Sequence, residues 1–333
     1  MRINPMLVML TRGAVTESFH RGALAVVDGE GAVVLSLGDT GRPIYPRSAV
    51  KPLQALPLVE TGAADEWSLG DVELALACSS HSAEGFHLKG IRDWMTKVGL
   101  LESDLGCGAH VPISDMDAAE LRYKRQLPRR IHNNCSGKHA GMLTTALAKG
   151  DPLEGYLEWQ HPVQQRVARV IATMSGIDLA GMPVAVDGCG MPVIGLPLSA
   201  LALAMARFGS GKGLTTARKR AAQRLYRAMV REPFMVAGSN RWNSAAVVLG
   251  DGNFVVKTGA EGVCCAVVPA VGLGMALKID DGSARAAEAL MSELLARFAG
   301  LDEVAVQKLS MLGQPQVQNA EGQVVGKTCI TGF

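Results

Sequence analysis

Near both ends of this 333-residue chain, apolar residues come in short runs separated by turn residues. Runs 24–27 and 32–35 flank Asp28-Gly29, the grammar of a β-hairpin. Runs 245–249 and 254–257 flank Asp251-Gly252 in the same way, and 263–268 and 274–279 continue as strand-like segments. The middle has helix-compatible composition over 71–77, 84–98, 116–125, 139–148, 163–174, 193–207 and 217–229. A last helix over 283–298 places Ala286, Leu290, Met291, Leu294, Leu295 and Phe298 on one stripe. Residues 193–207 are almost entirely apolar, which predicts a buried helix too short to span a bilayer.

Strands at both ends with helices between them predict an α+β fold. One antiparallel sheet collects the N- and C-terminal segments, with helices packed on it. The length suits a single catalytic domain over 1–333, either undivided or in two lobes, with the glycine stretch 209–213 as a lobe boundary or loop. No Gly-x-Gly-x-x-Gly follows a strand. Gly326-Lys327-Thr328 is discounted as a phosphate loop, because Glu321 stands where that motif needs its first glycine.

Hydrophobic residues make up 48% of the chain and charged residues 19%, so it is globular and not disordered. A net charge of +2 with no long basic run argues against nucleic acid as a partner. The early apolar run 6–10 is too short for a signal-peptide core, and no stretch reaches the ~18 apolar residues of a membrane span. The expectation is a cytoplasmic protein without a membrane partner. Seven cysteines scattered through such a chain are expected to be reduced.

Candidate chemistry begins at Arg47-Ser48-Ala49-Val50-Lys51. On a helix Ser48 and Lys51 share a face, and a neutral amine can take the proton of a serine hydroxyl. Burial and nearby positive charge, from Arg47 or Lys257, would favour that neutral form. The alternative is a helix-capping Ser48 beside a solvated lysine. The motif gains weight from Lys257-Thr258-Gly259 at the end of the run 254–256. Serine hydrolases of the penicillin-binding and β-lactamase type combine the two motifs in this order. Cys78-Ser79-Ser80-His81-Ser82 follows another apolar run. Ser80 there reads either as the mid-chain serine of such enzymes, partnered by Lys257, or as part of a polar turn.

The stretch 132–142 is dense in donors, with Cys135, Lys138 and His139 on one face if a helix begins there. Small residues Gly137, Ala140 and Gly141 allow another element to approach. Downstream, Asp187 and Cys189 lie on a Gly-rich turn. Asp187 reads as a substrate-ammonium partner or as a turn aspartate bonding its own backbone. Cys135 and Cys189 with a nitrogen ligand would suit zinc. Their spacing matches no common zinc module, so by spacing alone they read as two buried thiols. Arg241, in Gly238-Ser239-Asn240-Arg241-Trp242, is a carboxylate clamp or a surface loop residue.

Taken together, these segments resemble the bacterial L-asparaginase II family typified by the inducible-type asparaginase of rhizobia. The likeness is carried by 45–52, 78–81, 133–139, 186–190 and 257–262, and continues more weakly to the tail. The resemblance implies a fold related to serine β-lactamases and glutaminases, homodimer formation, and hydrolysis of L-asparagine to aspartate and ammonia. It also implies two Ser–Lys pairs, Ser48 with Lys51 and Ser80 with Lys257. Cys135, Lys138 and Cys189 match a Zn2+ site, and Arg47, His139 and Asp187 match substrate-pocket positions. The loop 240–243 departs from the family, where a glycine before the arginine and a Cys or Asp two residues after it are expected.

The expected activity is thus an amidohydrolase working through a Ser–Lys acyl-enzyme. Alternatives are a glutaminase or another amidohydrolase of the same fold, or a non-catalytic amino-acid or zinc-binding protein.

Overall fold

The structure is a computed structural model and describes residues 3–332. The chain divides into two compact units and passes between them at 49–50, 195–196, 213–214 and 244–245. The passage at 213–214 falls at the end of the glycine stretch 209–213.

The first unit holds an eight-stranded antiparallel sheet. Its strands are β1 (Met6–Arg12), β2 (Val15–Asp28), β3 (Val33–Leu37), β4 (Val255–Gly259), β5 (Val263–Val268), β6 (Leu273–Ile279), β7 (Gln316–Gln318) and β8 (Val324–Ile330). The order is β7-β8-β1-β2-β6-β5-β4, with β3 on the second half of β2. The two chain ends therefore meet in one sheet: β1 pairs with β8 and β2 pairs with β6. The helices Leu198–Ser210 and Ala284–Phe298 both pack on β5, and all six β5 residues are buried. Such a continuously apolar strand needs cover on both faces. Gly274 of β6 sits directly under the first of these helices. A Cβ there would lie 2.2 Å from the Ala202 carbonyl oxygen, so only glycine permits the approach.

The second unit is mainly helical, built around Asp71–Ala77, Gly85–Val98, Ser136–Lys149, Pro162–Ser175 and Thr216–Arg231. The α+β class and the antiparallel sheet gathered from both ends stand as the hydrophobic pattern predicts.

Two local expectations are corrected. Residues 245–249 do not form a hairpin arm; they belong to the helix Trp242–Gly250. An apolar run this short fits either a strand or a buried helix, and periodicity cannot separate them. Asp251 and Gly252 do form a turn, with φ of 42° and 84°, but it leads from helix to strand. The expected helix 193–207 starts only at Leu198. Residues Pro192–Ile194 and Leu196–Pro197 are strands, paired with Val184–Val186 and Pro43–Ile44, and Leu196 is held out of the helix by the following proline. Gly326-Lys327-Thr328 lies inside β8 and forms no loop. Among the described residues, no helix is long and apolar enough to cross a membrane, and all seven cysteines are free thiols.

Candidate active site

Ser48 lies in the 3-10 turn Arg47–Val50, which leads directly into the short helix Lys51–Gln54. Arg47 opens the turn at φ 50°, a left-handed conformation uncommon for a side-chain-bearing residue. Lys51 is fully buried. Its Nζ donates to the Ser79 carbonyl and, across 2.9 Å, to the Ser80 hydroxyl, and it also meets the Cys135 thiol. No carboxylate is among these partners. Burial pushes the Lys51 pKa down; the Cys135 charge pushes back and Lys138 adds to the lowering, leaving it below the ordinary range.

Ser80 is held by a loop tied down on both sides. Its amide donates to the Val236 carbonyl at 2.9 Å, and the next amide, His81, donates to the Asn134 carbonyl at 3.2 Å. His81 is a buried strut. Its Nδ1 accepts from the Ala83 amide, so its proton sits on Nε2 and goes to Ser136 Oγ at 2.9 Å, which in turn donates to the Ile131 carbonyl. Burial, with the neighbouring His87 and Lys51, keeps this imidazole well below its ordinary pKa. The helix Ser136–Lys149 thus begins against the Ser80 loop. Gly137 makes the contact possible: a Cβ there would lie 2.3 Å from the Leu76 carbonyl oxygen.

That helix start carries Cys135, Lys138 and His139, all buried. Lys138 Nζ donates to Cys189 Sγ at 3.1 Å. The Cys189 thiol donates to Cys135, and this bond, with Lys51 and Lys138 nearby, holds Cys135 well below an ordinary thiol. The same bond and burial push Cys189 up. Burial works against a charged Lys138, but the Cys135, Cys189 and Asp187 charges outweigh it and raise that pKa. The three sequence-predicted zinc residues are therefore gathered in one buried cluster. Among the described residues no trio of His, Cys, Asp and Glu forms a metal cage, so an ion here would require the lysine. A Cys189 sulfur bonded to both the Lys138 amine and the Cys135 thiol brings three donors together that suit a tetrahedral ion with one position left for another ligand.

Cys189 reaches this cluster from the turn between the paired strands Val184–Val186 and Pro192–Ile194. Asp187 starts that turn. Its carboxylate accepts from the Gly188 amide at 2.8 Å and its carbonyl from Gly190 at 2.8 Å, so it does bond its own backbone. Its charge also acts on Lys138.

In the sheet unit, β4 carries Lys257 to the turn that holds Arg47 and Ser48. A Cβ on Gly259 would lie 2.8 Å from the Pro46 carbonyl oxygen and 3.1 Å from the Ala49 amide nitrogen. The glycine of Lys-Thr-Gly is thus what lets the strand pass beside the serine turn. Lys257 is buried, and its Nζ donates to the Thr258 carbonyl at 2.9 Å.

One unit therefore gathers Lys51, Ser80, Cys135, Lys138, His139, Asp187 and Cys189, and the other brings β4, with Lys257, beside Arg47 and Ser48. The family model of L-asparaginase II matches residues 8–330. The chain belongs to the L-asparaginase II family. As a member it is an asparaginase-type amidohydrolase.

Solved structures similar to this asparaginase-family chain include a β-lactamase from Mycobacterium bovis, at 15% identity and TM-score 0.44, covering 84% of this chain and 95% of that one. A D-alanine carboxypeptidase, AmpC from Burkholderia cenocepacia, has 15% identity and TM-score 0.40 over 82% and 93% of the two chains. A protein named Mglu has 17% identity and TM-score 0.39 over 90% and 74%. Among curated proteins no relative matches significantly.

Several contributors to this asparaginase-family site escape sequence reading. The Ser79 carbonyl that accepts from Lys51 is a backbone group and carries no residue signal. Tyr156, which bonds His139, sits in an unremarkable loop. Arg241, which the sequence does single out, donates to Ser82 at 3.4 Å and lines a cavity of about 570 Å³ with Glu84, Asp115 and Asp117.

Proposed function

We propose that this protein hydrolyses L-asparagine to L-aspartate and ammonia through a Ser–Lys acyl-enzyme. The observation that carries the reading is the fully buried Lys51 amine, hydrogen-bonded to Ser80 Oγ and shifted toward its neutral form. A neutral amine retains a lone pair that can accept a serine proton, which a solvated ammonium cannot do. Family membership supplies the amide substrate class.

In this mechanism Ser48, three residues before Lys51, is the nucleophile. Its oxygen bonds to the side-chain amide carbon of asparagine as Lys51 takes the proton, directly or through the Ser80 hydroxyl. The C–N bond then breaks, and the protonated lysine returns its proton to the departing nitrogen. Water, deprotonated by the same amine, cleaves the acyl ester and releases aspartate. The Ser80–Lys257 pair relays protons or orients Ser48. Arg47 takes the substrate carboxylate and Asp187 its ammonium, with His139 as a further pocket donor.

A zinc ion belongs to this proposal, held by Cys135, Lys138 and Cys189. When bound it supplies a positive centre that positions the substrate. A homodimer belongs to it as well, on the resemblance alone. Incubating the protein with L-asparagine, L-glutamine and a chromogenic cephalosporin, with and without chelator, tests the substrate class. Ammonia from asparagine is the expected result. Cleavage of glutamine or the cephalosporin alone, or tight asparagine binding with no ammonia, would replace the reading.

A further inference from the structure

His139 is fully buried, and its two ring nitrogens have unequal surroundings. Nδ1 lies 2.6 Å from the Tyr156 hydroxyl, whose oxygen accepts from the Gly106 amide at 2.6 Å. Among the described residues Nε2 has no hydrogen-bond partner. Two proton arrangements are possible on this chain of contacts. If Nδ1 carries the proton, it donates to Tyr156, the tyrosine proton is left without an acceptor, and the Nε2 lone pair is also unmet. If Tyr156 donates to Nδ1, only the Nε2 proton is left over. Two buried unmet groups cost more than one. The second arrangement therefore prevails.

A fully buried imidazole whose one polar partner is a buried tyrosine hydroxyl has no anion to sustain a charge, so the ring is neutral. His139 thus presents one buried N–H that none of the described residues satisfies. A buried donor without an acceptor is costly, and at a functional site it signals a ligand oxygen.

We infer that Tyr156, with the Gly106 amide behind it, is a positioning residue that fixes His139 as an Nε2–H donor to the substrate. The ligand half of this statement rests on the asparaginase reading; the tautomer half does not. Tyr156 touches no substrate in this account. It acts by occupying Nδ1 as a donor, so that the opposite nitrogen must carry the ring proton.

The test uses protein labelled with 15N-histidine, with the His139 signals identified by their absence in His139→Gln. Long-range proton–nitrogen correlation spectra then report which nitrogen is protonated. Wild type is expected to show Nε2–H, with the Nε2 signal moving on addition of L-aspartate. Tyr156→Phe keeps the ring but removes the donor. It is expected to lose the single tautomer and to raise KM for asparagine about tenfold with kcat changed less than about threefold, the size of one lost hydrogen bond. A purely structural tyrosine would lower the melting temperature without moving the tautomer or KM.

A wild-type ring protonated at Nδ1 overturns the proposal, as does a folded Tyr156→Phe protein with unchanged tautomer and KM. If Tyr156→Phe does not fold, the wild-type tautomer and its response to L-aspartate decide, and an unmoved Nε2 signal overturns it. Ammonia release by the wild type is scored separately, so failure of the asparaginase reading is distinct from failure of the Tyr156 lock.

Discussion

The Lys51 amine donates to the Ser80 hydroxyl across 2.9 Å, with both groups buried. The sequence reading pairs Lys51 with Ser48 and Ser80 with Lys257. Within its own unit, the serine that Lys51 holds is Ser80. In the proposed mechanism Lys51 therefore exchanges protons with both serines.

The first prediction concerns pH. As a base, Lys51 must be unprotonated, so kcat/KM should rise with pH along a limb below the amine's ordinary value, because burial lowers it. Stability should follow the same sign. In the folded state Lys51 loses its proton more readily than when unfolded, so the unfolded chain binds more protons in the window below the ordinary lysine pKa. Its contribution therefore rises with pH through that window and is lost as pH falls through the folded value. Urea melts across pH, compared with Lys51→Met, check this: the variant should lose that part of the slope.

A second prediction separates the serines. Ser48→Ala should lower ammonia release by at least about 10³-fold, as loss of a nucleophile does. Ser80→Ala should retain the acyl-enzyme route at about 10²-fold lower kcat, the scale of an impaired proton transfer. Mass spectrometry of quenched reactions reads the adduct directly. An adduct on Ser80 would exchange the two roles.

The third prediction tests the junction beneath the site. Gly137→Ala forces a methyl group to within 2.3 Å of the Leu76 carbonyl oxygen. Backbone on both sides leaves little room to yield, so the cost should be about 1–3 kcal/mol. Thermal melting should fall accordingly. Activity should fall further than stability requires, because the same helix start carries Cys135, Lys138 and His139. An unchanged melt would show that the two helices can slide apart freely.

The fourth prediction concerns zinc. Lys138 and Cys189 are both held protonated by their surroundings, and a metal must displace those protons. Zinc affinity should therefore rise with pH by about tenfold per displaced proton per pH unit. Titration calorimetry of metal-free protein at several pH values measures this. Cys135→Ser and Cys189→Ser should each abolish tight binding, and pH-independent binding in the wild type would contradict the assigned ligands.

Much of this arrangement is legible in the sequence. The 24–37 hairpin follows from two apolar runs around an Asp-Gly turn, the strands within 254–279 follow from short apolar runs, and the helical middle follows from composition; the outer strands 6–12, 316–318 and 324–330 carry no such signal. Cys135, Lys138 and Cys189 are nameable as a set through the family resemblance, because by spacing alone the two cysteines read as buried thiols. What escapes is of a different kind. The 242–250 helix is lost because a short apolar run looks the same in a strand and in a buried helix. The Ser79 carbonyl and the Gly106 amide are backbone groups, placed by tertiary packing alone. Tyr156 lies 17 residues from the histidine it locks, with no periodic pattern to join them.

The most direct test of the account is ammonia release from L-asparagine by wild-type protein and by Lys51→Met, which keeps the side chain out to the ε carbon and removes the amine. The account predicts turnover by the wild type and a loss of at least about 10²–10⁴-fold in the folded variant, the range of a missing general base. Wild-type-like ammonia release without the Lys51 amine would contradict it.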